Sequence, residues 1–244
     1  MTNLDSATDW DEQSQREFWN TWDKRYLQDD TLGAQAIRRG QVVFSLLKEL
    51  PLSNPNLIEI GCGNGWLAEN LATVGPITGV DISDQAIEEA RKRVPNGTFH
   101  SGDALAIDLP SETFDVAITL ETFSHVAQER FLDRIAEILK SNGYLILSTQ
   151  NRTVNMRRST VAPPAKGQLR RWVTMRQLRS LLEPRFRTLK AFTIEPSGDK
   201  GFLKIVNSHK LNRLAGLVIP QKTLQRLKEQ CGLGQTLIVV AQKR

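Results

Sequence analysis

Cysteine is scarce in this chain of 244 residues, with Cys62 and Cys231 its only two. Two cysteines resemble neither a disulfide framework nor a zinc cluster, and no bound metal is expected. Long apolar runs are missing as well. None reaches the roughly 18 residues that a membrane-spanning helix needs. Residues 1–11 are polar and acidic, which argues against a secretory signal. Internal repeats and low-complexity tracts are absent too. What remains is the expectation of a soluble protein in a reducing, cytoplasmic setting. Its apolar content of 40% suffices for a proper core at this length.

Acidic residues are nearly absent from the last part of the chain. Residues 1–150 hold 12 Lys+Arg and 23 Asp+Glu, a net −11, whereas residues 151–244 hold 20 and 4, a net +16. Such a basic segment either meets something anionic or forms a solvated face. Nucleic acid, a phosphorylated metabolite and an acidic membrane surface are the partners to weigh.

Helical spacing of Phe18, Trp19, Trp22 and Tyr26 predicts an amphipathic helix over 12–28, and a second follows over 34–50. Together they would form an N-terminal helical cap, residues 12–50. From about residue 55 to 151 short apolar runs alternate with helical patterns. Strands are expected at Leu57–Ile60, Pro76–Val80, Thr98–Ser101, Phe114–Leu120 and Tyr144–Thr149, with helices between them and Ser83 capping one. Alternation of this kind implies right-handed crossovers and a mainly parallel sheet covered on both faces. After Asn151 the pattern changes. Residues 152–171 read as a long Arg-rich loop. Thr174–Leu182 follows as a helix, Phe186–Ile194 as a strand, and Phe202–Val206 as a short strand or loop. Helices at Lys210–Leu217 and Lys222–Cys231 precede a last apolar strand at Thr236–Gln242.

The first strand runs into Glu59-Ile60-Gly61-Cys62-Gly63-Asn64-Gly65 and then into a helix. A glycine-rich strand-to-helix turn lets the backbone approach a ligand at the carboxyl end of a sheet. Dinucleotide sites want G-x-G-x-x-G, with a small third residue for close helix packing. Here the third glycine comes one position early and Trp66 stands where Gly or Ala belongs, which argues against NAD or FAD. Asp81 ends the second strand, placed to accept hydrogen bonds from ribose hydroxyls.

E-x-G-x-G-x-G resembles the first motif of class I S-adenosylmethionine-dependent methyltransferases, and the likeness extends over about residues 55–152. His100-Ser101-Gly102-Asp103-Ala104 resembles the family's adenine-binding segment, Phe114–Ile118 its fourth strand, and Leu139–Leu145 its L-K-x-G-G-x-L segment. The stretch Thr119–Val126 is similar to M-E-x-x-E-H-V of ubiquinone-pathway O-methyltransferases, with Ser124 in place of the second acid. That replacement speaks against a metal. The resemblance implies a Rossmann-like, doubly wound, seven-stranded, mostly parallel sheet with an antiparallel last strand and a helical lid. The whole chain, 1–244, would be one methyltransferase domain with its cofactor-binding core at 55–151. A basic substrate or lid region at 152–231 would interleave with the last strands.

By this resemblance S-adenosylmethionine is the cofactor. Gly61, Cys62, Gly63 and Gly65 would carry its methionine part, with Glu59 bracing the loop. Asp81 and Ile82 would hold the ribose, Asp103 and Ala104 the adenine, and the Leu120 carbonyl the amino group. Arg39 is a candidate partner for the cofactor carboxylate, with Arg38 beside it as an alternative. Cys62 otherwise reads as a small space-filler, and Trp19 and Trp22 as a lid or as core. His125 is a candidate general base for a hydroxyl acceptor, against a reading in which it caps or packs the following helix. The expected acceptor is an oxygen of a small polar, phosphorylated, glycan-precursor or lipid-like molecule. RNA or protein methylation through the basic region is the alternative, and a non-enzymatic cofactor-binding or membrane-associated partner is the third reading.

Overall fold

The computed structural model describes residues 12–27, 33–165, 168–217 and 219–244. Residues 1–11 lie outside that set, as do Gln28 and the side chains of Trp22 and Tyr26. In chain order the helices α1 (Glu12–Leu27) and α2 (Ala34–Lys48) come first. They are followed by β1 (Leu57–Ile60), α3 (Trp66–Leu71), β2 (Ile77–Asp81), α4 (Asp84–Arg93) and β3 (Thr98–Ser101). Next come β4 (Phe114–Leu120), a 3-10 turn (Thr122–His125), α5 (Gln128–Ile138) and β5 (Leu139–Gln150). The last part holds α6 (Arg152–Asn155), α7 (Met175–Leu182), β6 (Phe186–Pro196), α8 (Phe202–Val206), α9 (His209–Ala215), α10 (Gln221–Gln230) and β7 (Gly234–Lys243).

The strands form one seven-stranded sheet in the order β3-β2-β1-β4-β5-β7-β6. β1 to β5 run parallel. β7 is inserted antiparallel between β5 and β6, so the expected antiparallel last strand is present. Successive side chains leave a strand on opposite faces, and this sorts the apolar residues into two cores. Ile58, Ala117, Leu145, Leu147 and Val239 meet α5 and α7 through Phe131, Leu132, Ile135 and Leu178. Leu57, Val116, Ile118, Ile146 and Ile238 meet α2, α3 and α4 through Val43, Leu47, Leu67 and Ile87. α2 is therefore built into the core. Its Gly40 faces the ring of Trp66, and a Cβ there would come within 2.5 Å of it.

Local signals explain several boundaries. Ser83 caps α4, its hydroxyl accepting from the Ala86 N–H at 3.2 Å. Thr174 and Gln177 form a reciprocal capping box at α7. Phe202–Val206, read from sequence as strand or loop, is the helix α8. Five apolar-rich residues carry no period long enough to separate the two states. The Arg-rich stretch after Asn151 begins with a short helix, α6, where a loop was expected. Among the described residues, the rest of that stretch up to Thr174 holds no further helix or strand.

Candidate functional site

A cavity of about 380 Å³ opens at the carboxyl ends of β1, β2 and β4. This is where an open α/β sheet binds its ligands. Its floor is the turn after β1. Gly61 adopts φ +77°, and a Cβ on it would sit 1.9 Å from the Thr122 hydroxyl oxygen. Only glycine combines that left-handed backbone with that approach. Gly63, with φ +52°, also lines the cavity.

Asp81 shapes this turn. Its Oδ2 accepts from the Gly63 N–H at 2.8 Å and its Oδ1 from the Ser83 N–H at 2.9 Å. Burial raises its pKa above the ordinary carboxylate value, partly offset by the N–H groups of Ser83 and Gly63. Each oxygen keeps lone-pair capacity on the cavity side. Ile82, Asp103, Ala104 and Leu120 line the wall beside it. Asp103 is oriented by its own loop, Oδ1 accepting from the Leu105 N–H at 3.0 Å.

Three predicted residues lie off the cavity wall. Cys62 is 1% exposed and points into the α2–α4 core, where its sulfur lies against Gly79 beside Phe99. Of its two sequence readings the space-filling one describes this position. Gly65 starts α3 with φ +75°, and its Cα faces Ala90 of α4. The turn has moved away from the cavity by then. Glu59 is buried within β1, its Oε2 without a hydrogen-bond partner among the described residues. Burial and the charge of Asp81 hold its pKa well above the carboxylate range.

His125 ends the 3-10 turn and lines the cavity. It does not cap α5, whose N-cap is Ala127. Its Nδ1 lies 2.7 Å from the Leu169 carbonyl oxygen. A carbonyl only accepts, so Nδ1 carries the proton and Nε2 keeps the lone pair. Burial lowers its pKa from 6.5 to about 4, against the opposing pull of the Leu169 carbonyl. The ring is therefore neutral at physiological pH. Trp19 of α1 meets it edge-on, ring centroids 4.9 Å apart.

Sequence reasoning overlooked Gln15, Glu121, Thr122 and Gln150, which also line the cavity. Gln15 and Trp19 arrive from α1, far away in sequence. Arg16 ties that helix to α4 through Asp84 at 3.0 Å, and the Ser83 hydroxyl donates to the Asn20 Oδ1 at 2.8 Å. Glu121 takes φ +66°, a backbone state that a glutamate sequence does not advertise. Burial raises its pKa, countered by Arg39 and by the Ser148 hydroxyl.

Arg39 lines the cavity with its guanidinium already engaged. Nε donates to Glu195 at 3.2 Å and Nη1 faces Glu121 at 3.8 Å. The Gln235 side chain donates to the same Glu195 at 2.8 Å. Arg38 points elsewhere, pairing with Glu229 of α10. No group of three or more potential metal ligands occurs among the described residues. Among them, too, no helix is long and apolar enough to cross a membrane.

Residues 58–147 match the model of the methyltransferase domain family. The chain is 41% identical over 118 residues to the mitochondrial ubiquinone biosynthesis O-methyltransferase of Schizosaccharomyces pombe, across 45% of this chain and 43% of that one. It thus spans less than half the length of that relative. A solved S-adenosylmethionine-dependent methyltransferase of Thermotoga maritima shares the fold, with TM-score 0.62 and 22% identity over 95% of this chain and 99% of that one. The cyclase SpnF shares it too, with TM-score 0.59 and 21% identity over 85% and 81%. The match at residues 58–147 is thus to a methyltransferase domain, and the chain shares its fold with S-adenosylmethionine-dependent methyltransferases.

Proposed function

We propose that the chain transfers a methyl group from S-adenosylmethionine to an oxygen of a small molecule, with His125 taking the acceptor's proton. The observation that carries this reading is a single cavity holding both the glycine turn with Asp81 and a neutral imidazole whose Nδ1 is occupied by Leu169. O-methylation is also what the name of the Schizosaccharomyces pombe relative states.

The residues present fit the cofactor. The bare Cα atoms of Gly61 and Gly63 would face its methionine part, and the Asp81 oxygens would take the two ribose hydroxyls. Ile82, Asp103 and Ala104 would border the adenine, and the Leu120 carbonyl would hold the amino group. Arg39 is already neutralised by Glu195 and faces Glu121, so the cofactor-carboxylate role gains no support from this geometry. When bound, the cofactor supplies a methyl group already activated by its sulfonium. The protein's work is then alignment and exclusion of water. Trp19 and Gln15 on α1 close the cavity over the turn, and Trp19 fixes the plane of the His125 ring. Nε2 of His125 accepts the hydroxyl proton as the acceptor oxygen becomes nucleophilic. The acceptor itself is a polar, phosphorylated, glycan-precursor or lipid-like molecule, met in the cytoplasm.

The test is incubation with methyl-labelled cofactor and fractionated cell extract, run in parallel with His125→Ala. A labelled small molecule is expected, with turnover lost and cofactor affinity kept in the variant. Label in RNA or protein, or cofactor binding with no transfer at all, would overturn the reading.

A further inference from the structure

Among the described residues, nine large hydrophobic side chains are exposed, and six of them lie between β6 and β7. They are Phe202 and Ile205 on α8, Leu211 and Leu214 on α9, Leu217 just after it, and Leu227 on α10. Single exposed apolar residues need no explanation, but six gathered in one insert call for one. This insert leans little on apolar contact with the core. Leu203 is the one fully buried side chain of α8, and α10 has none. Polar contacts tether it instead: the Thr193 hydroxyl of β6 donates to the Glu229 carbonyl at 2.6 Å, and the Asp199 and Lys200 N–H groups donate to the Arg157 carbonyl at 3.0 and 3.1 Å. Leu211 and Leu214 are three apart and so share one face of α9. That face points outward, while Asn212 faces inward to Lys228.

Charge selects the occupant. Between β6 and β7, residues 197–233 contain seven basic side chains, Lys200, Lys204, Lys210, Arg213, Lys222, Arg226 and Lys228, against two acidic ones, Asp199 and Glu229, which are engaged by Ser159 and Arg38. A second copy of this chain would bring two such positive sets face to face, which like-charge repulsion opposes. Nucleic acid would use the charge and leave the leucines in water. An anionic bilayer uses both, since basic residues meet its headgroups while Leu and Phe enter the acyl boundary. The arginines of the Arg-rich stretch 152–171 are less suited to such a surface. Arg170 is 9% exposed and stacks on Trp172, and Arg158 donates to the Asn155 Oδ1 at 3.0 Å.

We infer that the α8–α10 insert is a peripheral docking surface for anionic lipid membranes. The test is co-sedimentation with vesicles of phosphatidylcholine alone and vesicles that also contain phosphatidylglycerol, with melting temperature measured in parallel. Binding is expected to the anionic vesicles and to weaken with salt. Lys210→Gln with Arg213→Gln should lower it by about fivefold per charge removed. Leu211→Ser with Leu214→Ser should also release the protein from vesicles at unchanged melting temperature. If these variants lose their fold, masking by added salt and the vesicle-composition series still decide the matter. Failure of the wild-type protein to pellet with anionic vesicles would overturn the inference. So would a dimer in light scattering that Leu214→Ser dissociates, or RNA binding that the charge variants abolish while vesicle binding is nil. None of these readouts depends on methyl transfer.

Discussion

At the scale of single residues, positions where backbone geometry demands a particular side chain are the ones a sequence displays. Gly61 is such a position, and Gly61→Ala should be costly. The new Cβ would need both the left-handed φ and room now filled by Thr122. A loss of about 2–4 kcal/mol in urea unfolding is expected, with Thr122→Ala recovering only the steric part. Asp81→Asn places an amide N–H₂ against one of the N–H groups of Gly63 and Ser83. Leaving that donor unmatched costs about 1–3 kcal/mol, so calorimetry should show cofactor affinity falling tenfold or more. His125 lends itself to a pH test. Its neutral form is the base, and its pKa of about 4 puts the acidic limb of kcat/KM near 4 rather than 6.5. A pH profile with a limb near 6.5 that His125→Gln removes would contradict that assignment. The partner that sets this behaviour, the Leu169 carbonyl, lies 44 residues away. A main-chain oxygen leaves no trace in the residue letters.

At the scale of elements, short apolar runs revealed the inner strands because β1, β2 and β4 are largely buried on both faces, whereas the edge strand β3 buries only Phe99. The sequence revealed less of α1's purpose. Its aromatic spacing predicted a helix, but only the fold brings Gln15 and Trp19 to the cavity wall. The helix is held to α4 by the Arg16–Asp84 pair and by the Ser83–Asn20 contact. Such half-exposed pairs contribute about 1 kcal/mol or less. Arg16→Ala with Asn20→Ala should therefore leave global stability nearly unchanged while freeing α1. Hydrogen exchange in α1 should speed up and the KM for cofactor should rise, with kcat little altered. Unchanged exchange in α1 would show that other contacts hold it. The buried cluster of Arg39, Glu121 and Glu195 was equally hidden, because Arg39 and Glu195 are separated by 156 residues.

At the scale of the whole molecule, buried ionisable groups set how stability follows pH. In the unfolded chain His125 takes up its proton near 6.5, whereas in the folded protein it resists until about 4. The unfolded state thus binds more protons in that window, and stability falls as pH drops from 6.5 towards 4. The full effect is at most about 3 kcal/mol, and His125→Gln should remove it in urea titrations across that range. Glu59 acts in the opposite sense. Its folded pKa is raised, so the folded protein binds the proton first and stability is lost as pH rises through that value. Glu59→Gln should therefore stabilise the protein most on the alkaline side. The charge asymmetry that stood out in the sequence divides the same way in space. The acidic part builds β1 to β5 and the glycine turn, and the basic part supplies the insert before β7.

The place of β7 in the sheet also sets an order of events in time. β5 and β6 are neighbours only through β7, which follows both in the chain. While the protein is being made, β6 has no strand to pair with, and β5 keeps one open edge until Gly234–Lys243 has left the ribosome. Unpaired edges are the segments most prone to join a neighbouring chain. The glycine turn and Asp81 can be in place well before that moment. The half of the molecule that resembles known methyltransferases is thus able to form early, and the half that distinguishes this chain must wait for its final strand.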